Sequence, residues 1–158
     1  MTRFLLCLAI VFSATAAQAG ELRPFGKGSW QELKQLHAGR PAIVHFWGLT
    51  CGPCLTELPQ WGKFASDAGV DLVMVAADPV PEPAPSLLAT LAKARLDHTE
   101  AWVFADPYTE RLEYEIDPDW RGELPLTVLL GRNGSTESVL GTTDFAQLRN
   151  WTQSQTRP

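Results

Sequence analysis

Residues 42 to 54 read Ala-Ile-Val-His-Phe-Trp-Gly-Leu-Thr-Cys-Gly-Pro-Cys. Ala42 to Trp47 is an apolar run broken only by His45, the pattern of a strand buried on both faces. Beyond Gly48-Leu49-Thr50, Cys51-Gly52-Pro53-Cys54 opens a helix expected to run to about Ala68. Pro59 falls inside that helix and is expected to kink it, because it removes a backbone donor and crowds the carbonyl one turn back. The spacing of Cys51 and Cys54 lets their sulfurs meet within one turn. The first sulfur sits where unpaired backbone N–H groups and the positive end of the helix dipole point outward. That setting favours thiolate over thiol, and the thiolate is the nucleophile. Cys54, one turn further in, is expected to be more shielded. The chemistry this predicts is attack by Cys51 on a partner disulfide, then resolution of the mixed disulfide by Cys54.

The cysteine count supports a redox pair over a staple. The chain of 158 residues, a length that suits one domain, holds three cysteines. Arg3, the apolar and small-residue run Phe4 to Ala17, and Ala17-Gln18-Ala19 before Gly20 read as a cleaved secretory signal peptide over residues 1–19. The run is short for a bilayer span, which needs roughly 20 apolar residues. Loss of Cys7 with that leader leaves Cys51 and Cys54, whose small loop would restrain the unfolded chain little. A second Cys-x-x-Cys or a His pair that could complete a zinc site is missing from the sequence. The net charge is −5, about −6 without Arg3, and Lys and Arg form no cluster, so nucleic acid and anionic membrane surfaces are not expected partners.

Outward from the central stretch, residues 20–28, with Pro24, Gly26 and Gly28, read as an exposed lead-in to a domain over residues 29–158. Ser29-Trp30-Gln31-Glu32 fits a capping box for a short helix to about Leu36. Val70 to Ala77 predicts a second buried strand, ending at Asp78. Residues 79–85 alternate proline with other residues and predict a stiff surface loop, and Ser86 to Leu96 predicts an amphipathic helix. Ala101 to Phe104 is a short strand, and 107–116 a helical turn or short helix. Leu126 to Leu130 is a strong strand, Gly131-Arg132-Asn133-Gly134 a hairpin turn, and Ser135 to Leu140 its partner. Thr143 or Asp144 caps a final helix to about Ser154. Early alternation of strand and helix followed by a hairpin gives an α/β fold: a mixed central sheet with helices on both faces.

These features together resemble the thioredoxin superfamily, and within it the TlpA/ResA-type envelope thiol–disulfide oxidoreductases. The residues carrying the resemblance are Phe46-Trp47 ahead of Cys51-Gly52-Pro53-Cys54, Glu57 three residues after Cys54, Pro59 in the helix, and Glu123-Leu124-Pro125-Leu126-Thr127 before the hairpin. The resemblance covers about residues 29–155 and implies a thioredoxin-like fold. It implies Cys51 as the attacking and Cys54 as the resolving cysteine. Pro125 would be a cis-proline facing the dithiol, with the Leu124 backbone turned toward the sulfurs to pair with an extended substrate segment. Trp47, Gly52 and Pro53 would add to the substrate-binding surface. Glu57 would take the proton of Cys54, since burial raises the proton affinity of a carboxyl; a solvated helix glutamate is the plain alternative.

The chain departs from the family pattern at two places. His45 stands where thioredoxins carry a buried acid; it is either a satisfied core histidine or, if buried and neutral, a proton shuttle. Thr50 replaces a tryptophan and should make the rim smaller and more polar. Trp30, Trp61, Trp102, Trp120 and Trp151 read as packing residues, with Trp120 the best placed of them to touch a partner. The expected function is a periplasmic protein thiol–disulfide oxidoreductase, monomeric and without a cofactor beyond the Cys51–Cys54 disulfide. Gly-Pro between the cysteines resembles reducing thioredoxins, which implies a reductase kept reduced by a membrane thiol-reducing donor. By resemblance its targets include apocytochrome c haem-site cysteines or copper-centre assembly proteins. The alternative is a copper-binding metallochaperone module on the same fold, in which His45 or His98 joins the two thiolates.

Overall fold

The structure, a computed structural model, describes residues 21–67, 69–78 and 83–156. Residues 1–19, read above as a leader, and most of the proline-rich loop lie outside the described residues.

Six strands form one mixed sheet: β1 (Leu22–Phe25), β2 (Ala42–Trp47), β3 (Asp71–Ala76), β4 (Glu100–Phe104), β5 (Leu126–Leu130) and β6 (Thr136–Leu140), in the order β1-β4-β3-β2-β5-β6. The first four run parallel, and β5 pairs antiparallel with both β2 and β6. The helices are α1 (Ser29–Leu36), α2 (Gly52–Asp67), α3 (Ala84–Lys93), α4 (Thr109–Ile116) and α5 (Phe145–Thr156).

Alternation along β2 divides the core. Val44 and Phe46 join Trp30 and Leu33 of α1 and Leu112 and Ile116 of α4 on one face. Ile43 and Trp47 join Leu58, Trp61 and Phe64 of α2, Leu87 and Leu91 of α3, and Leu148 of α5 on the other. The result is the expected mixed sheet with helices on both faces, a thioredoxin-like fold. His45 shares the parity of Ile43 and Trp47, so its side chain points toward α2.

Two local expectations are corrected. The stretch read as an exposed lead-in contains β1, which pairs with β4 and buries Phe25 against Phe46, Trp102 and Phe104. Pro24 is tolerated there because β1 is an edge strand, where a missing N–H breaks no ladder on the open side. Arg23 anchors it, bonding to Glu32 at 2.7 Å and Glu100 at 3.1 Å and lying over the Trp102 ring. Ser29 is the first residue of α1 rather than its cap: its Oγ accepts the Gly26 N–H at 3.0 Å, and Gly28 with φ 84° takes the cap position. Gly28 provides the left-handed turn that a residue with a side chain rarely adopts.

Candidate active site

The sheet delivers the Cys-x-x-Cys segment at the C-terminal end of β2. The polypeptide leaves Trp47, turns through Gly48-Leu49-Thr50, and enters α2 at Gly52. Asp78, just beyond the neighbouring strand β3, holds that turn. Its carboxylate accepts the Leu49 N–H at 2.9 Å, the Thr50 N–H at 3.0 Å and the Thr50 hydroxyl at 2.9 Å. The Cys51 N–H then donates to the Gly48 carbonyl at 3.3 Å. Thr50 is exposed and polar at the rim, as expected, but its hydroxyl is turned to Asp78.

Cys51 and Cys54 are joined in a disulfide. Cys51 is half-buried, and its Sγ accepts the Cys54 backbone N–H at 3.2 Å. Cys54 is 0% exposed, packed among Trp47, Leu58 and Trp61. A single sulfur of the pair therefore meets solvent, and it lies at the helix N-terminus, where backbone N–H groups are free to stabilise negative charge. Gly52 and Pro53 are exposed around it, with Leu55 adding an apolar rim.

The Leu124–Pro125 peptide bond is cis. Pro125 is buried, and half-buried Leu124, like Cys51, packs against the cluster that contains Cys54 and Trp47. Trp47 itself is 0% exposed, which corrects the expectation that it contributes to a substrate surface: it ends the buried strand β2 with its ring in the core under α2. Trp120 is a packing residue, as expected, and is buried away from any partner. It packs on Phe46 and Phe104, and its indole N–H donates to the Glu123 carbonyl at 2.8 Å.

Glu57 is buried, not a solvated helix residue. Its Oε2 accepts the Thr143 backbone N–H at 2.9 Å, and its Oε1 accepts the Trp61 indole N–H at 3.3 Å. The same Oε1 lies 3.2 Å from His45 Nε2. His45 is fully buried and packs against Trp61 at a tilt of 39°, with ring centroids 4.5 Å apart. Its Nδ1 bonds to the Thr127 hydroxyl at 3.0 Å, and Thr127 Oγ1 lies 3.5 Å from Thr143 Oγ1. Burial pushes the His45 imidazole down to about 3, so it is neutral near pH 7. Thr127 and Thr143 also line a cavity of about 230 Å³ between β5, β6 and α5.

Sequence reasoning missed Asp78, Thr127 and Thr143. An available signal for Asp78 was a lone acid directly after a buried strand expected to run parallel to β2. The two threonines gave none, since their contacts span sequence separations of 82 and 86 residues.

The fold and the half-shielded Cys51–Cys54 pair define a thioredoxin-like thiol–disulfide oxidoreductase. The chain is similar to sporulation thiol–disulfide oxidoreductase A of Bacillus subtilis strain 168, at 25% identity, with 97% of this chain and 96% of that protein covered. The crystal structure of StoA from Bacillus subtilis superposes with a TM-score of 0.55 at 27% identity, covering 73% of this chain and 84% of that one. MTB DsbF, determined in mixed oxidised and reduced forms, shares the fold with a TM-score of 0.60 at 21% identity over 77% of this chain and 85% of its own. No known protein-family model matches the chain.

Proposed function

We infer that the protein acts in the cell envelope as a reductase of disulfides in partner proteins. The observation that carries this reading is the inequality of the two sulfurs: Cys51 is accessible at the tip of α2, while Cys54 is sealed behind it. In the reduced protein the Cys51 thiolate attacks a target disulfide, and the target's other sulfur leaves as thiolate. Cys54 gives its proton to Glu57 and attacks Cys51 Sγ. The Cys51–target bond breaks, the second target sulfur departs as thiolate, and the Cys51–Cys54 disulfide remains. Leu124, Gly52 and Pro53 form the rim against which an extended target segment lies, with Pro125 behind it.

The disulfide is itself the redox centre and requires no further cofactor. The leader-like segment supports export to the periplasm, and Gly-Pro between the cysteines supports the reducing direction. A membrane donor of the thiol-reducing type would return two electrons to the pair. The protein works as a monomer, on targets such as apocytochrome c haem-site cysteines or cysteines of copper-centre assembly proteins. The copper-binding alternative gains nothing from the geometry: His45 is fully buried with its Nδ1 bonded to Thr127, and His98 lies in a groove with His37 and Glu100 at the other end of the parallel strands.

Redox equilibration against glutathione and dithiothreitol tests the direction. The expected potential is roughly −270 mV, as for reducing thioredoxins, and a value above about −150 mV would reverse the assignment. Cys51→Ser should abolish dithiol-dependent reduction of a protein disulfide, and retained activity would overturn the choice of nucleophile.

A further inference from the structure

Trp120 is buried, yet it holds the stretch of backbone on which target binding depends. We propose that Trp120 is a positioning residue for target recognition: its indole N–H fixes the Glu123 carbonyl and thereby turns the Leu124 N–H outward, as a free donor for the backbone of an extended target segment. The inference rests on the reading, given above, that such a segment lies against Leu124 while Cys51 attacks its disulfide.

Three observations carry it. First, the Trp120 indole N–H donates to the Glu123 carbonyl at 2.8 Å, and Trp120 is only 5% exposed, packed on Phe46 and Phe104. The carbonyl is therefore held toward the face of the sheet that carries α1 and α4. Second, the Glu123–Leu124 peptide bond is trans, and in a trans peptide the C=O and N–H point in opposite directions. The Leu124 N–H is thus directed away from Trp120, while Cys51 packs against the core cluster of the opposite face. Third, Leu124 is half-buried, and neither its N–H nor its carbonyl has a hydrogen-bond partner among the described residues. An open backbone donor at the rim of the reactive sulfur is available to a target backbone, as at the free edge of a sheet.

The turn around Trp120 is braced without using Leu124. The Trp120 backbone N–H donates to the Asp117 carbonyl at 3.0 Å, the Arg121 N–H to Glu123 Oε2 at 3.0 Å, and Arg121 Nη1 to the Pro118 carbonyl at 2.7 Å. Gly122, with φ 84°, provides the left-handed residue between Arg121 and Glu123. Without the indole N–H the Glu123 carbonyl loses its anchor, and the Glu123–Leu124 peptide is free to rotate. The target must then order that N–H at the moment of binding, which weakens recognition of a peptide backbone. A small disulfide, having no backbone to pair, does not sense the change.

The test compares two disulfides attacked by the reduced protein. One is an extended peptide whose single cysteine is linked to an aromatic thiol; the other is the symmetric aromatic disulfide. Attack by Cys51 releases an aromatic thiolate from either, and its absorbance gives the rate. Trp120→Phe should lower the peptide rate about 5-fold relative to the rate with the small disulfide, in line with the loss of one hydrogen bond. Replacing the indole by benzothiophene, which keeps the ring system and lacks the N–H, should do the same. A ratio equal to that of the unaltered protein in both variants overturns the proposal and leaves the dithiol chemistry standing. An unaltered protein that attacks neither disulfide overturns the functional reading and this inference together. Amide exchange decides the matter even if neither variant folds. In the Cys54→Ala protein, the Leu124 N–H should exchange on the order of 10-fold more slowly when Cys51 carries the peptide than when it carries the aromatic thiol. Equal exchange would show that no target backbone pairs there and would contradict the proposal.

Discussion

The Asp78 carboxylate fills the space that a side chain at position 48 would need: a Cβ on Gly48 would lie 2.5 Å from Asp78 Oδ1 and 2.9 Å from Oδ2. Two strands are thereby tied together at their ends, and the loop that presents Cys51 is fixed by a residue 27 positions after it in sequence. Gly48 is required for that close approach, not for a left-handed backbone.

Removing this brace should cost stability and order at the active site. Asp78→Ala leaves the Leu49 and Thr50 N–H groups without their acceptor, and the loss of hydrogen bonds to a charged group is worth about 2–3 kcal/mol. Urea unfolding of the oxidised protein measures it. Gly48→Ala should destabilise in the same direction by displacing the carboxylate, and the alkylation rate of Cys51 in the reduced protein should change in both variants.

A second glycine is placed by packing. Gly62, buried in α2, faces the Ala94 carbonyl oxygen just beyond α3, and a Cβ there would overlap it. Gly62→Ala should therefore destabilise by about 1–3 kcal/mol, although alanine is the better helix former. A midpoint equal to or above that of the unaltered protein in urea unfolding would show that α3 yields without strain.

Stability should peak near pH 6.5 as far as the two buried histidines determine it. Burial alone would lower the affinity of His37 for a proton, but hydrogen bonds to Glu100 and Asp71 outweigh it and raise the value above 6.5. His37 therefore contributes fully below pH 6.5, and its contribution is lost as pH rises through its folded value. His45 acts oppositely: held down to about 3 by burial, it costs stability as pH falls below 6.5, because the unfolded chain takes up the proton that the folded one refuses. Glu100, lowered by its bond to His37, adds a loss as pH falls through the carboxylate range. Unfolding free energies across pH 4–9 check this: His37→Phe should flatten the alkaline limb and His45→Phe the limb just below 6.5.

Local signals made much of the fold legible in the sequence. The apolar run of β2, the Asn133-Gly134 turn and the cap at Asp144, whose Oδ1 accepts the Ala146 and Gln147 N–H groups, each rest on neighbours in the chain. The cis bond before Pro125 was expected from the resemblance alone, since most X–Pro bonds are trans. β1 was missed because Pro24, Gly26 and Gly28 read as loop, while its position at the sheet edge makes the proline harmless. Trp47 was placed on the substrate surface through the resemblance, whereas strand parity puts it in the core; Trp120, read as a packing residue, is one. The contacts of His45, Glu57, Thr127 and Thr143 arise only when β2, α2, β5 and the turn before α5 come together.

The central claim is that the N-terminus of α2 holds the accessible sulfur ionised. Titration of Cys51 in the reduced protein, followed by thiolate absorbance and by the pH dependence of its alkylation, tests this directly. The account predicts ionisation below the roughly 8.5 of an ordinary thiol; a Cys51 that titrates at or above that value would contradict it.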